Sequence, residues 1–357
     1  MAERSKLTVA VTGCSGYIAG RLIASLCDDP RVERVLGFDV KEPRVSHPRF
    51  VFDPMDVRDR ALQKRFAGCD AVVHLAFIMD PIRDESMMRD VNVNGSHNVF
   101  WCAGEAGVGK IVYPSSATVY GAHPDNDVPL TEESPLRANL DFSYPAHKLE
   151  VEYVVREFRK EFSETIFTLF RPAIVFGPHV DNAWSHVLEL PLLVGVRGYR
   201  PPIQFVHEDD VARAVTHAVL DGDLDGDFNL APGDWLEAEE ALTILNRRRV
   251  EFSEPAAFAL LEAMWGLGLA EAPAGMFHYL MHPWVVSADK LADEGFVCTH
   301  SSREVFRQTV ERTERYVRVG NTRVRRVRLR VAAAAGIGAL GSLAVAGEVL
   351  RRRHRAA

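Results

Sequence analysis

The first half of the chain alternates short apolar runs with helical patterns. Residues 7–11 (LTVAV) predict a strand, after which Ile18, Leu22, Ile23 and Leu26 recur at the spacing of one helix face. Residues 35–40 (VLGFDV) predict a second strand and 50–52 a short third. Residues 71–75 (AVVHL) predict a fourth, whose unbroken apolar character suits burial on both faces. A helix over 92–106 leads to a fifth strand at 110–113 (KIVY), and a longer helix near 147–162 leads to a sixth at 165–171. Such alternation is the pattern of an α/β fold with a Rossmann-type, doubly wound parallel sheet.

Beyond Pro178 the pattern loosens. Residues 179–202 hold three prolines and read as loops and short elements. Residues 203–206 (IQFV) predict another strand, and Glu208 to Asp210 open a helix. Residues 234–320 read as mostly helical, with an apolar run around 257–269. With no repeat or low-complexity tether, a smaller C-terminal domain is expected to be interleaved with the first. The first domain then covers 1–178, with 203–230 returning to it. Residues 179–202 and 231–322 make the second, and 323–357 form a tail.

Composition narrows the class. At 357 residues, 47% hydrophobic and 25% charged, the chain is an ordinary globular protein with room for both domains. Its five cysteines are scattered, odd in number and without a CxxC pair, which argues against a disulfide framework or a zinc site and fits a reducing cytosol. The N-terminal residues run from charged positions directly into the first strand, so a cytoplasmic location is expected.

Charge is divided unevenly. Residues 323–357 carry nine Arg and one Glu, a balance of +8, against −15 over 1–322. An acidic body argues against nucleic acid as a partner. Within the tail, 331–347 is an uncharged run rich in Ala, Gly, Leu, Val and Ile, flanked by arginines on both sides. As a helix it would extend roughly 25 Å, short of the ~30 Å hydrocarbon core of a bilayer. Its composition suits a helix lying on an anionic membrane surface; the rival reading is a helix docked on another subunit.

The candidate chemistry sits at the strand ends. Thr12-Gly13-Cys14-Ser15-Gly16-Tyr17-Ile18-Ala19-Gly20 lies between the first strand and helix, where glycine permits a tight turn and backbone N–H groups can approach a pyrophosphate. Asp39, 19 residues beyond Gly20, closes the second strand, where a carboxylate accepts hydrogen bonds from ribose hydroxyls and repels a 2′-phosphate. NAD is therefore expected in preference to NADP. Tyr144 and Lys148 stand four residues apart on one predicted helix face. A neighbouring cation favours the phenolate of a tyrosine whose free pKa is about 10, so the pair suits proton exchange with a secondary alcohol. Ser115 and Ser116, after the fifth strand, place a hydroxyl where such an oxygen would be held.

With these motifs in place, the chain resembles the extended short-chain dehydrogenases/reductases of the NAD-dependent epimerase/dehydratase family. TGCSGYIAG, FDV, VVHLA, NVNGS, SSATVYG, YPAHK, RPAIVFGP and FVHEDDVA carry the resemblance, in order, across residues 7–220. It implies Ser116, Tyr144 and Lys148 as the catalytic triad. It implies cofactor contacts at Gly13, Ser15, Gly16, Tyr17, Ile18, Asp39, Asp56, Val57, Leu75, Ala76, Phe77 and Lys148, with Asn92 in support. A homodimer formed through two long helices of the cofactor domain is also implied.

Departures from the family pattern bear on substrate. Ala19 stands at the usual third glycine. Ala117 and Thr118 replace the Asp-Glu pair of the dehydratases, which argues against dehydration. Ile174 and Ile203 stand where nucleotide-sugar members carry an Asn and a diphosphate-gripping Arg, with Arg197 and Arg200 as the nearest substitutes. Family membership points to a sugar or nucleotide-sugar epimerase. The apolar replacements and the aromatic second domain (Trp265, Phe277, Tyr279, Trp284) point instead to a dehydrogenase or reductase of a lipophilic alcohol or ketone, of the hydroxysteroid or flavonol type. A non-catalytic NAD-binding sensor is a third reading. His207-Glu208-Asp209-Asp210 reads as a helix N-terminus and not as a metal site, His74 as a satisfied core histidine, and the second-domain aromatics as packing. Met87 and Met88 read as packing, as do Met276 and Met281, with lining of the substrate side as the alternative for the latter two.

Overall fold

The computed structural model describes residues 6–180, 182–190, 192–220, 224–319 and 322–325, so the expected tail helix at 331–347 lies outside the described residues. Seven parallel strands form the central sheet. They are β1 (Leu7–Thr12), β2 (Val32–Asp39), β3 (Phe50–Pro54), β4 (Ala71–His74), β5 (Lys110–Pro114), β6 (Ile166–Pro172) and a late strand over Gly226–Leu230. In space they run late strand-β6-β5-β4-β1-β2-β3. The chain leaves β1 towards β2 and β3, then crosses back to β4 on the other side of β1. This reversal opens a crevice at the carboxyl ends of β1 and β4, where ligands of open α/β sheets bind.

Alternation along each strand divides the core between two faces. Val9, Val11, Val73 and Val112 face α1 (Tyr17–Asp28), whereas Ala10, Val72, Ile111 and Tyr113 face the helices on the opposite side. A short helix α2 (Leu62–Phe66) contributes Leu62 and Phe66 to that second face. Helix α3 (Glu85–Arg89) begins seven residues before the predicted start at 92, because the Asp84 carboxylate accepts the Met87 N–H at 2.9 Å and caps it. A π-helical turn over Asp90–Asn94 joins it to α4 (Gly95–Glu105). Helix α5 (Ser143–Glu161) starts at Ser143, ahead of the predicted 147, since Pro145 is tolerated in a first turn.

The strand predicted at 203–206 does not join the main sheet. Pairing instead begins at Phe205, and the segment lies parallel to β7 (Ile174–Phe176) in a separate two-stranded sheet. A five-residue helix α6 (Ala183–Val187) and β8 (Leu193–Val196) precede that strand, β9 (Phe205–His207). Helix α7 (Glu208–Leu220) then packs on α1, and the late strand, β10, completes the sheet beside β6. Its sequence GDFNL hides a strand behind Asp227 and Asn229, both of which have buried partners.

The remaining elements are less uniformly helical than predicted for 234–320. Helix α8 (Ala238–Leu245) leads to β11 (Arg249–Phe252), which pairs with β8, and then to α9 (Glu254–Gly266). Short helices α10 (His278–Met281) and α11 (Asp289–Asp293) precede α12 (Ser302–Thr313), whose Ser301/Glu304 capping box fixes its start. An antiparallel hairpin of β12 (Tyr316–Val319) and β13 (Thr322–Arg325) follows. Among the described residues, no helix is long and apolar enough to cross a membrane.

Candidate active site

The turn after β1 closes on itself tightly. Gly13 has φ +71° and donates its N–H to the Phe38 carbonyl at 2.8 Å; a Cβ there would lie 2.4 Å from the Ala76 nitrogen. Only glycine meets both demands. Gly16 caps α1, and a side chain there would meet only the Gly13 oxygen, at 3.2 Å. Gly13→Ala is expected to lower stability by roughly 2 kcal/mol or more, because strained φ and backbone overlap combine. A urea titration checks it, and NAD affinity measured on the same variant should fall with the turn geometry.

Asp39 ends β2 beside that turn. Its carboxylate accepts the Ser15 N–H at 3.1 Å, the Ser15 hydroxyl at 2.6 Å and the Lys41 N–H at 3.0 Å. Tyr17 and Ile18 follow in the first turn of α1, and Ala19 is buried, so its methyl group is absorbed by the core. Past β3, Asp56 pairs with Arg58 at 2.6 Å, which holds its carboxyl below the ordinary range. Val57 is buried against Gly95, where a Cβ would come within 2.7 Å of it.

At the end of β4, Leu75 donates to the Thr12 carbonyl at 3.0 Å, and Ala76 and Phe77 follow. Fully buried Asn92 clamps the next residue by both ends of its amide: Oδ1 accepts the Ile78 N–H at 2.7 Å, and Nδ2 donates to the Ile78 carbonyl at 3.0 Å. Asn92 lies within the π-helical turn, a device often found at functional sites. The thirteen expected cofactor positions are thus spread over the carboxyl ends of β1 to β4 and the helices behind them.

Ser116 caps a single 3-10 turn over Ala117–Tyr120, its Oγ accepting the Thr118 N–H at 3.2 Å and the Thr118 hydroxyl at 2.9 Å. Burial pushes the Tyr144 phenol up to about 12, and the Ser116 hydroxyl near it in the cleft opposes that rise. One turn along α5, the buried Lys148 ammonium donates to the Tyr113 hydroxyl at 3.1 Å and the Pro114 carbonyl at 2.9 Å. It lies 3.9 Å from the Phe77 ring centroid. Its nitrogen thus faces β5 and Phe77, and Tyr144 faces Ser116.

Burial lowers Lys148 to about 7, opposed by the carboxylate of Glu152 one turn further on. Between about pH 7 and the free-lysine value near 10.4, the folded chain has released this proton while the unfolded chain still holds it. Stability therefore rises with pH in that window, and below it the burial penalty stands at full size. Urea midpoints between about pH 7 and 9, below the free-tyrosine range, should climb in the native protein and climb less in Lys148→Met.

Sequence reasoning missed the support under this pair. Glu152 accepts from Ser115 at 2.7 Å and from the buried Arg171 guanidinium at 2.8–3.2 Å. Arg171 also donates to the Tyr120 hydroxyl at 2.9 Å and to Asp227 at 2.9 Å. Spacing held a clue, since Glu152 follows Lys148 by four residues on one helix face. Arg171 closing a strand in an apolar context was a second.

A half-open cleft lies at Ser116 and Tyr144. Phe142, Ile174, Trp184, Met276 and Trp284 line it, with Thr118 and Asn182 as polar members and Asp80 as its charged one. Ala117 is buried outside it, whereas Thr118 faces it. Ile203 lines an adjoining cavity together with Arg200, which is paired with Glu239 at 3.0 Å and Glu251 at 2.5 Å. Arg197 is exposed and lines neither space. Phe142 and Trp184 escaped the sequence reading because Phe142 caps a helix and Trp184 sits in a five-residue helix too short to show periodicity. Tyr279 and Phe277 are buried core as expected, Trp265 is half-buried, and Trp284 with Met276 both packs and lines the cleft.

The discounted histidines have partners. His74 is buried between the hydroxyls of Thr12 (2.7 Å) and Ser96 (2.9 Å). Glu208 and Asp210 open α7, the first paired with Arg21 and the second accepting from Thr299 and His300.

Comparison with known proteins adds the following. Residues 9–231 match the NAD dependent epimerase/dehydratase family. An uncharacterized protein of Mycobacterium tuberculosis is 27% identical over 297 residues, 80% of this chain and 78% of its own length. The N-acetyl-alpha-D-glucosaminyl-diphospho-ditrans,octacis-undecaprenol 4-epimerase of Escherichia coli is 31% identical over 172 residues, 47% of this chain and 49% of its own. The UDP-glucose 4-epimerase of Thermus thermophilus, solved in complex with NAD, superposes with a TM-score of 0.67 at 20% identity, covering 86% of this chain and 99% of that one. At that identity the likeness is one of fold.

Proposed function

We propose, for a chain that belongs to the NAD dependent epimerase/dehydratase family, that it is an NAD-dependent enzyme acting at a secondary alcohol or ketone carbon, epimerase-like towards a sugar-bearing substrate. The observation that carries this reading is that Tyr144 and Ser116 line one cleft at the carboxyl edge of the sheet.

The residues around the turn after β1 fit a dinucleotide. Gly13 and Gly16 keep the approach to the α1 N-terminus free of side chains, and Asp39 stands where the adenosine ribose would lie. Lys148, held at Tyr113 and Pro114, is within the same crevice and would contact the nicotinamide ribose. NAD, when bound, supplies the acceptor and donor of hydride.

The chain's own groups handle the proton. Ser116 Oγ orients the substrate oxygen, and the Tyr144 hydroxyl takes its proton in oxidation and returns it in reduction. A phenol held near 12 is a poor base by itself, so cationic charge at the crevice must lower it for turnover. Asn92 and the Glu152–Arg171 pair act at one remove, positioning the β4 end and the β5 end.

One observation favours a second reading, a dehydrogenase or reductase of a lipophilic alcohol. Among the described residues neither Lys nor Arg lines the cleft, and Ile174 offers no charge to a diphosphate. Denaturing the purified protein and identifying released nucleotide separates the two. Near-stoichiometric NAD means the cofactor is regenerated in place, as in a redox-neutral epimerase. An empty site that binds added NAD reversibly means cofactor exchange at each turnover, and supports the second reading. Pairing of two copies through α4 and α5 is part of the same proposal.

A further inference from the structure

Beyond the cleft lies a half-open apolar cavity of about 220 Å³ between α6, β8, α9 and α10. Leu260, Leu261 and Met264 line it from α9, Val194 from β8, and Phe277 and Leu280 from below. Its polar residues are His186 and Glu271, which hydrogen-bond each other at the mouth.

The cavity adjoins the cleft that holds the reacting point. Met276 lines both it and the cleft at Tyr144. A surface groove repeats the connection from outside: it borders Asp80 and Pro81 of the cleft and His186, Ala270 and Glu271 of the cavity mouth. Helix α9, which roofs the cavity, is apolar on most sides, with Ala257 as its one buried residue. Leu260, Leu267 and Leu269 stand 37%, 68% and 51% exposed around the cavity roof and mouth. An apolar helix around an apolar space, with no cation for a phosphate, selects hydrocarbon.

We propose that this cavity receives a hydrocarbon chain of the substrate, whose reacting hydroxyl is thereby presented to Ser116 and Tyr144. The proposal rests on the reading of that pair as the reacting point. Ligand binding to the cavity, however, is measurable without turnover. The substrate class is then an alcohol or ketone with an extended aliphatic portion, with or without a sugar.

The test is calorimetric titration of the NAD-saturated protein with secondary alkanols from butanol to dodecanol. Each added methylene is expected to tighten binding about fourfold until the cavity is filled, the gain of burying one such group. Leu261→Trp, which fills the space from the roof, should flatten that series while NAD affinity and melting temperature stay unchanged. Met264→Glu, at a half-exposed position, provides the same readout if the first variant fails to fold. An affinity independent of chain length in the native protein overturns the proposal, as does a length dependence that survives both substitutions. Length-dependent binding without oxidation of any alkanol supports the cavity assignment and counts against Tyr144 as the proton carrier, so the two failures are distinguishable.

Discussion

Tyr144→Phe is expected to lower turnover at saturating NAD by about a thousandfold, the size of a lost general acid–base group, and to leave NAD affinity within about twofold of the native value. The substitution removes one oxygen and keeps the ring. Its edge-to-face contact with Phe77, at 5.8 Å between centroids, remains, so packing and fold should be unaffected. Ser116, which lines the cleft with Tyr144, keeps Thr118 as its hydrogen-bond partner. Steady-state rates and calorimetry on one preparation decide the matter. Activity within tenfold of native would point to a sensor or scaffold and retire the catalytic reading.

The second large effect concerns stability. Arg171 and Glu152 are each about 2% exposed and are joined at 2.8 Å, and Asp227, Tyr120 and Ser115 complete the network. Arg171→Met is expected to destabilise the fold by about 3–5 kcal/mol, because it strands the Glu152 carboxylate in the interior. The double variant Arg171→Met/Glu152→Leu removes both charges and should recover much of the loss. Urea midpoints of the native protein, the single variant and the double variant close the cycle. A single variant as stable as native would mean that water reaches Glu152 and that the network bears no stress.

The network also connects stability to chemistry. Glu152 lies one turn from Lys148 and counters the burial that lowers its pKa. Its loss should lower Lys148 further and shift the pH profile of turnover towards acid, with the fold-stability cycle as the control.

How much of this was legible in the chain varies with the kind of signal. Strands β1, β4 and β5 were readable because burial on both faces leaves unbroken apolar runs, and β10 was not, because its Asp227 and Asn229 are held by partners distant in sequence. The strand at 205–207 was legible as a strand, but its partner was not: extended backbone has no preferred neighbour until the rest of the sheet is built. Gly13, Asp39, Ser116, Tyr144 and Lys148 stood out because their roles depend on local spacing, at a turn, a strand end or one helix face. Phe142, Trp184 and Met276 carry no such spacing, and neither does Arg171.

The sequence by itself therefore determined the alternation that makes a parallel sheet, the glycine turn, and the residues placed at strand ends. These are local properties, set by backbone sterics and side-chain periodicity within a few residues. The tertiary structure alone decided the sheet order that opens the crevice, the pairing of Glu152 with Arg171, and the apolar walls that converge on Tyr144 from loops far apart in the chain. Each depends on contacts whose closure free energy is met only when the whole core assembles, so no window of sequence contains them.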